Sequence, residues 1–366
     1  MKDGEQNSEN DSPADRFIEA LKKGFKNEAL ALIADPGFDP NVRSGLPLSF
    51  AIELGYLDIA QLLLTKGANP NLGADSRKGS MVLALENEYF DLADSLLQHG
   101  AEISARDKNG WTPLIWASIK GYRAVVEYLV ENGADLHICS NDGWNALTGA
   151  FFKKHNEIVE LLTRRGAQFG RKYEEAALLS AYQHGSHEIV RSLIASGVNV
   201  NIGTSDGQPL LILVIAHGDQ DILELLLDAG ADPNIRDTEG NPALLSAILS
   251  AQYESAMRLI ERGASVNVKG PKWAPIHAAA EHGRVDLCKA LLDARASIDQ
   301  LAFMKRTALM QASKRKYADV VKLLLERGAD TRLRDEKNDT PHQLSLDILR
   351  ASTDVTLILE RHGAIF

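Results

Sequence analysis

Apolar residues recur along this chain in short clusters at helical spacing, never in long runs. Val125, Val126, Leu129 and Val130 place one apolar face on a helix. Upstream, Thr112 is suited to accept from an orphan amide at a helix start, and Pro113 suits the first helical position, where its missing N–H costs nothing. Gly121 breaks the chain between the two segments, and Gly133 ends the second, where a left-handed residue is wanted. The pattern predicts two short helices joined by a turn. Such a hairpin cannot bury its own apolar face and needs a neighbour on each side. The longest apolar run, Leu210 to Ala216, is far short of the ~20 residues of a membrane span and reads as the buried first helix of a central pair.

The helix-closing glycine repeats at Gly67, Gly100, Gly133, Gly166, Gly197, Gly230, Gly263, Gly328 and Gly363, with Arg295 in the place between Gly263 and Gly328. The steps are 33, 33, 33, 31, 33, 33, 32, 33 and 35 residues. This register predicts eleven helix pairs, beginning near Asp15, Leu46, Ser80, Thr112, Asn145, Glu174, Pro209, Pro242, Ala274, Thr307 and Thr340. The short steps fall in turns, around Gly170 to Tyr173 and around Gly270-Pro271, where deletions are tolerated best.

The unit Asn109-Gly110-Trp111-Thr112-Pro113-Leu114-Ile115-Trp116-Ala117, closed by Asn132-Gly133-Ala134-Asp135, resembles an ankyrin repeat. It keeps Asp107, Gly110, Thr112, Pro113, Leu114, Ala117, Gly121, Leu129, Gly133, Ala134 and Asp135, and departs at the usual His, here Ile115, and the usual Asn, here His137. The resemblance implies an all-α ankyrin-repeat solenoid of stacked helix-turn-helix pairs with extended tips. Residues 1–13 are polar and acidic and are expected to form a disordered tail. Residues 14–366 are expected to form a single ankyrin-repeat domain: an N-terminal cap over 14–43, central repeats over 44–339, and a C-terminal cap over 340–366 that places polar Gln343, Ser345 and Thr353 on its faces.

Charge and composition narrow the chemistry. The net charge of −10 over 366 residues argues against a general nucleic-acid binder, which needs a basic footprint. Two distant cysteines, Cys139 and Cys288, fit a reducing, cytoplasmic setting, and no export signal is visible. No phosphate loop, zinc-protease helix or nucleophile elbow occurs. The ten histidines are scattered; His99, His184, His217, His282 and His362 sit beside turns, and His277 occupies the family's structural position. The expectation is therefore no catalytic residue, no metal and no cofactor.

In the ankyrin family, partners dock on the concave side, on the tips and the exposed ends of first helices. Carried over, this nominates Lys108, Asn109 and Trp111 with Ile119 and Lys120, then Asn141, Asp142 and Trp144 with Phe152 and Lys153. Trp111 and Trp144, one period apart, either supply contact area to a partner or pack against neighbouring tips; Trp116 is expected in the core. A second, basic and apolar patch comprises Lys272, Trp273, Phe303, Met304 and Arg306 in two successive tips, with Lys314 and Arg315 at a helix end. It suits an acidic or phosphorylated segment, unless Phe303 and Met304 fold inward.

The leading expectation is a non-enzymatic module that binds a protein partner as inhibitor, regulator or scaffold, monomeric on its own, without nucleic acid or membrane. The alternatives are a secreted effector or toxin-immunity protein of ankyrin type, and a small-ligand binder or enzyme with its site in the groove.

Overall fold

A computed structural model describes residues 13–72, 78–346 and 353–364. The expected tail over 1–13 lies outside the described residues except Pro13, which already opens the first helix. Among the described residues there are 22 α-helices and no β-strand, and no helix is long and apolar enough to cross a membrane. The helices form pairs that begin within a few residues of the positions the glycine register predicts.

The chain divides into two compact units, Met1–Ala177 and Leu178–Phe366. The first contains α1 (Pro13–Lys22), α2 (Lys26–Ala34), α3 (Val42–Glu53), α4 (Leu57–Thr65), α5 (Ser80–Glu86), α6 (Phe90–Gln98), α7 (Pro113–Lys120), α8 (Arg123–Glu131), α9 (Ala146–Phe152) and α10 (Asn156–Arg164). The boundary falls inside α11 (Glu174–Gln183). The second unit continues with α12 (His187–Ala195), α13 (Leu210–His217), α14 (Gln220–Asp228), α15 (Ala243–Leu249), α16 (Tyr253–Glu261), α17 (Pro275–Glu281), α18 (Val285–Asp293), α19 (Ala308–Arg315), α20 (Ala318–Glu326), α21 (Pro341–Ser345) and α22 (Asp354–Arg361).

Local chemistry starts and stops these helices as the pattern requires. Thr112 Oγ1 accepts from the Ile115 amide at 3.3 Å, and Asn145 Oδ1 from the Thr148 amide at 2.9 Å. Gly133 is left-handed, and so is Arg295, the one arginine in that register position. The turn shortened around Gly170 to Tyr173 becomes a 3-10 turn, Arg171–Tyr173, running directly into α11. Ser345 and Thr356, on the C-terminal pair, are buried and hydrogen-bonded to each other at 2.9 Å.

Within each unit, first helices pack on first helices, as α7 on α9 and α17 on α19, and second helices on second, as α4 on α6 and α18 on α20. The apolar faces close between pairs: Leu114, Ile115, Trp116, Val125, Val126 and Leu129 are all buried.

Two polar ladders fix the register between pairs. An asparagine in each of several tips clamps the end of the next second helix. Asn71 Nδ2 donates to the Gly100 carbonyl at 2.8 Å while its Oδ1 accepts from the Glu102 amide at 2.9 Å. Asn267 does the same with the Arg295 carbonyl (3.0 Å) and the Ser297 amide (2.7 Å). The other ladder joins the turns inside each pair. His155 Nε2 lies 3.0 Å from the Ile119 carbonyl and its ring covers Gly121, where a Cβ would come within 2.6 Å of it.

Candidate functional site

Several tips are built on a side-chain acceptor at their base. Asp107 Oδ1 accepts from the amides of Asn109 (2.9 Å) and Trp111 (2.8 Å), while its own amide donates to the Trp111 carbonyl. Asp237 and Asp335 organise their tips in the same way. The turn thrusts Lys108 and Asn109 into solvent, and the next tip presents Asn141 and Asp142. The two tips are joined: the Asn141 amide donates to the Asn109 carbonyl at 3.0 Å and Asn141 Nδ2 to the Lys108 carbonyl at 3.1 Å.

Trp111 is half-buried and lines a cleft of ≈ 210 Å³ with Met81, Pro113 and Trp116, with Glu102 and Lys108 also in its wall. Trp116 is buried, as expected of a stack residue. Trp144 is half-buried like Trp111, but in ring contact with its neighbours. Its ring lies 5.5 Å from Tyr173 and 5.9 Å from Phe152, so the shortened turn after Gly170 closes over it. Ile119 is likewise half-buried, resting on Gly149, where its Cγ1 fills the space a Cβ would need. Lys120 and Lys153, at the ends of α7 and α9, are exposed.

In the second unit the expected basic patch divides. Arg306 is not a surface group: it is buried, and its Nε donates to Asp335 Oδ2 at 3.0 Å, tying two tips together. Arg315 is exposed but held by an ion pair with Glu281, so its charge is already satisfied. Lys314 is exposed at the same helix end. Phe303 does not fold inward; it is 55% exposed, with Met304 half-buried beside it. Lys272 Nζ sits 5.3 Å from the Phe303 ring centre and 5.2 Å from that of half-buried Trp273.

The repeating architecture has a family counterpart. A family model of ankyrin repeats matches residues 80–173, 177–270 and 269–335, and a single ankyrin repeat matches 46–75. These matches cover most of the chain. It belongs to the ankyrin-repeat family. Comparison with curated proteins found no match. Ankyrin repeats are in general protein–protein interaction modules.

The titratable groups of these ankyrin repeats have structural surroundings. His277 Nε2 faces two carbonyls, Gln300 at 2.7 Å and Arg306 at 3.1 Å, so this nitrogen carries the proton. Burial lowers its pKa and outweighs those hydrogen bonds. His99, His184 and His362 each lie within hydrogen-bonding distance of the carbonyl four residues earlier. His217 and His282 pair with the hydroxyls of Tyr182 and Tyr253. Burial pushes the Cys288 thiol up to about 12; the half-buried Cys139 thiol is also raised by burial, against the pull of Arg106. Neither thiol is activated for nucleophilic work. Among the described residues no group of three or more His, Cys, Asp or Glu is arranged to hold a metal.

Sequence reasoning overlooked the asparagine clamp and the His155 contact. The clamp's sequence signal is the usual Asn of the repeat, two residues after Asn69, Asn199 and Ser265 and in register with the glycines; the His155 contact has none.

Proposed function

We propose that this chain is a non-enzymatic interaction module that grips one partner protein through its tips and the exposed ends of its first helices, the concave side of an ankyrin stack. It acts by occupying the partner's surface, as inhibitor, regulator or scaffold. The observation that carries this reading is the cleft beside Trp111. Its apolar floor of Met81, Pro113 and Trp116 is rimmed by exposed Lys108 and Glu102. A pocket with an aromatic floor and a charged rim suits the anchor side chain of a protein partner. A reducing, cytoplasmic setting is part of the same proposal, supported by the two widely separated cysteines.

The test is affinity capture with wild-type chain and a Lys108→Glu/Asn109→Ala variant as parallel baits. Both substitutions lie on exposed side chains, so helical circular dichroism should be unchanged. The expected result is one protein lost with the variant alone. Identical proteins on both baits, or none captured specifically, overturns the reading.

A further inference from the structure

We propose that two successive tips of the second unit, Gly270 to Trp273 and Ala302 to Arg306, form a docking site for an extended acidic protein segment carrying one large apolar side chain. The inference rests on the tip-docking reading above and adds the partner's chemistry.

These two tips differ from the others in what holds them. Backbone bonds from the Gly270 amide to the Trp273 carbonyl (2.8 Å) and from the Ala302 amide to the Arg306 carbonyl (3.0 Å) correspond to the Asp107–Trp111 and Asp237–Asn241 bonds elsewhere. Gly270 and Ala302 therefore stand where other tips carry an organising side-chain acceptor, the carboxylates of Asp107, Asp237 and Asp335 or the hydroxyls of Ser140 and Thr204. Neither tip has the negative charge that Asp107, Asp237 and Asp335 bring to theirs. Lys305 is left-handed at φ 53°, as Gly110, Gly240 and Asn338 are at the same place in their tips, but here Met304 before it is left-handed too, at φ 59°. Left-handed backbone is strained for a residue that carries a Cβ. Strain of this kind collects where a surface is used.

The surface so formed is apolar and basic. Phe303 and Leu301 are 55% and 45% exposed, and Lys272 lies over the Phe303 ring. Lys269, Lys272 and Lys305 are exposed, and among the described residues none of them is in an ion pair. The Phe303 amide donates to the Lys272 carbonyl at 3.0 Å, which holds the two tips together as one platform. On its far side, the Glu336 amide donates to the Met304 carbonyl at 3.0 Å, and exposed Glu336 and Lys337 balance each other in charge.

On a chain of net charge −10, a local reversal of sign is where an acidic partner is drawn. Three lysines are too few for a membrane surface or a nucleic acid, which need larger basic clusters. They match a short run of carboxylates, with Phe303 and Leu301 taking the apolar side chain.

The probe is a fluorescein-labelled peptide of roughly twelve residues, long enough at ~3.3 Å per residue to cross both tips. It carries alternating Glu and Ser around one central Phe, and its anisotropy is followed with the full chain. The site predicts saturable binding that weakens with salt. Lys272→Glu/Lys305→Glu should weaken binding about tenfold or more, and Phe303→Ala should weaken it with circular dichroism unchanged. Lys108→Glu should leave it unchanged, which separates this site from the cleft in the first unit. Equal binding of the Gln-for-Glu peptide, no binding of the Glu peptide, or insensitivity to Lys272→Glu/Lys305→Glu overturns the proposal. Tighter binding to phosphatidylserine vesicles or single-stranded DNA than to the peptide also overturns it.

Discussion

Arg306 Nε donates to Asp335 Oδ2 across 3.0 Å, and both residues are buried. Desolvation pushes the Asp335 carboxyl up. The amide of Asp339, the Arg306 guanidinium and the amide of Lys337 outweigh it and hold the group below the usual carboxylate range. Removing the arginine strands a buried charge. Arg306→Ala should destabilise the chain by about 3 kcal/mol, the lower end for a broken buried pair, because two amides still serve the carboxylate. Urea denaturation measures this. The depressed pKa contributes stability that is complete above the unfolded value of about 3.9 and lost as pH falls through the folded value. Asp335→Asn should accordingly flatten the acid limb of stability against pH; an unaltered limb contradicts the assignment.

His277 supplies a second pH dependence at a milder pH. Its folded pKa is lowered by burial, so the unfolded state binds a proton the folded state refuses. Stability is therefore full above the unfolded value of about 6.5 and declines as pH falls below it, towards the depressed folded value. Thermal melts between neutral and mildly acidic pH should show this decline, and His277→Gln should reduce its slope.

The register position filled by Arg295 has φ +66°, and its counterparts are glycines. Arg295→Gly removes a left-handed strain of roughly 1–2 kcal/mol and adds back part of it as unfolded-state entropy. The net expectation is a stabilisation of about 0.5–1 kcal/mol by denaturant midpoint. Gly133→Ala meets no atom within 4 Å at its Cβ, so its destabilisation, roughly 1 kcal/mol, should come from backbone conformation alone.

Trp144 is a packing residue, in ring contact with Phe152 and Tyr173. Trp144→Ala should lower stability by about 3 kcal/mol, the lower end for a truncated tryptophan, since the ring is only half-buried. A melting curve indistinguishable from wild type would return Trp144 to the set of presented residues.

His137 stands where Asn71 and Asn201 clamp the next repeat in theirs. The same spacing would put an asparagine at 137 against the Gly166 carbonyl and the Gln168 amide. His137→Asn should add about 1 kcal/mol of stability, the typical net worth of such a bond. No gain in denaturant midpoint would mean that the shortened turn which follows has moved those partners out of reach.

The ankyrin-type architecture and its period were legible before any coordinates. Threonine and asparagine caps, Pro113, and glycines every 33 residues act on backbone within a few residues of themselves, so their meaning is local. Trp116 was legible as core because its neighbours share the helical spacing. Arg306, by contrast, reads as a surface cation beside Lys305. Its partner lies 29 residues away, and only the stacking of one tip on the next buries them together. Trp144 reads as a twin of Trp111, yet the turn after Gly170 covers one and leaves a cleft beside the other. The sequence by itself determined which segments become helices and how often they repeat. The tertiary structure alone decided which tip side chains are consumed in joining repeats and which, like Lys108 and Phe303, remain for a partner, because burial and pairing are settled between repeats and not within one.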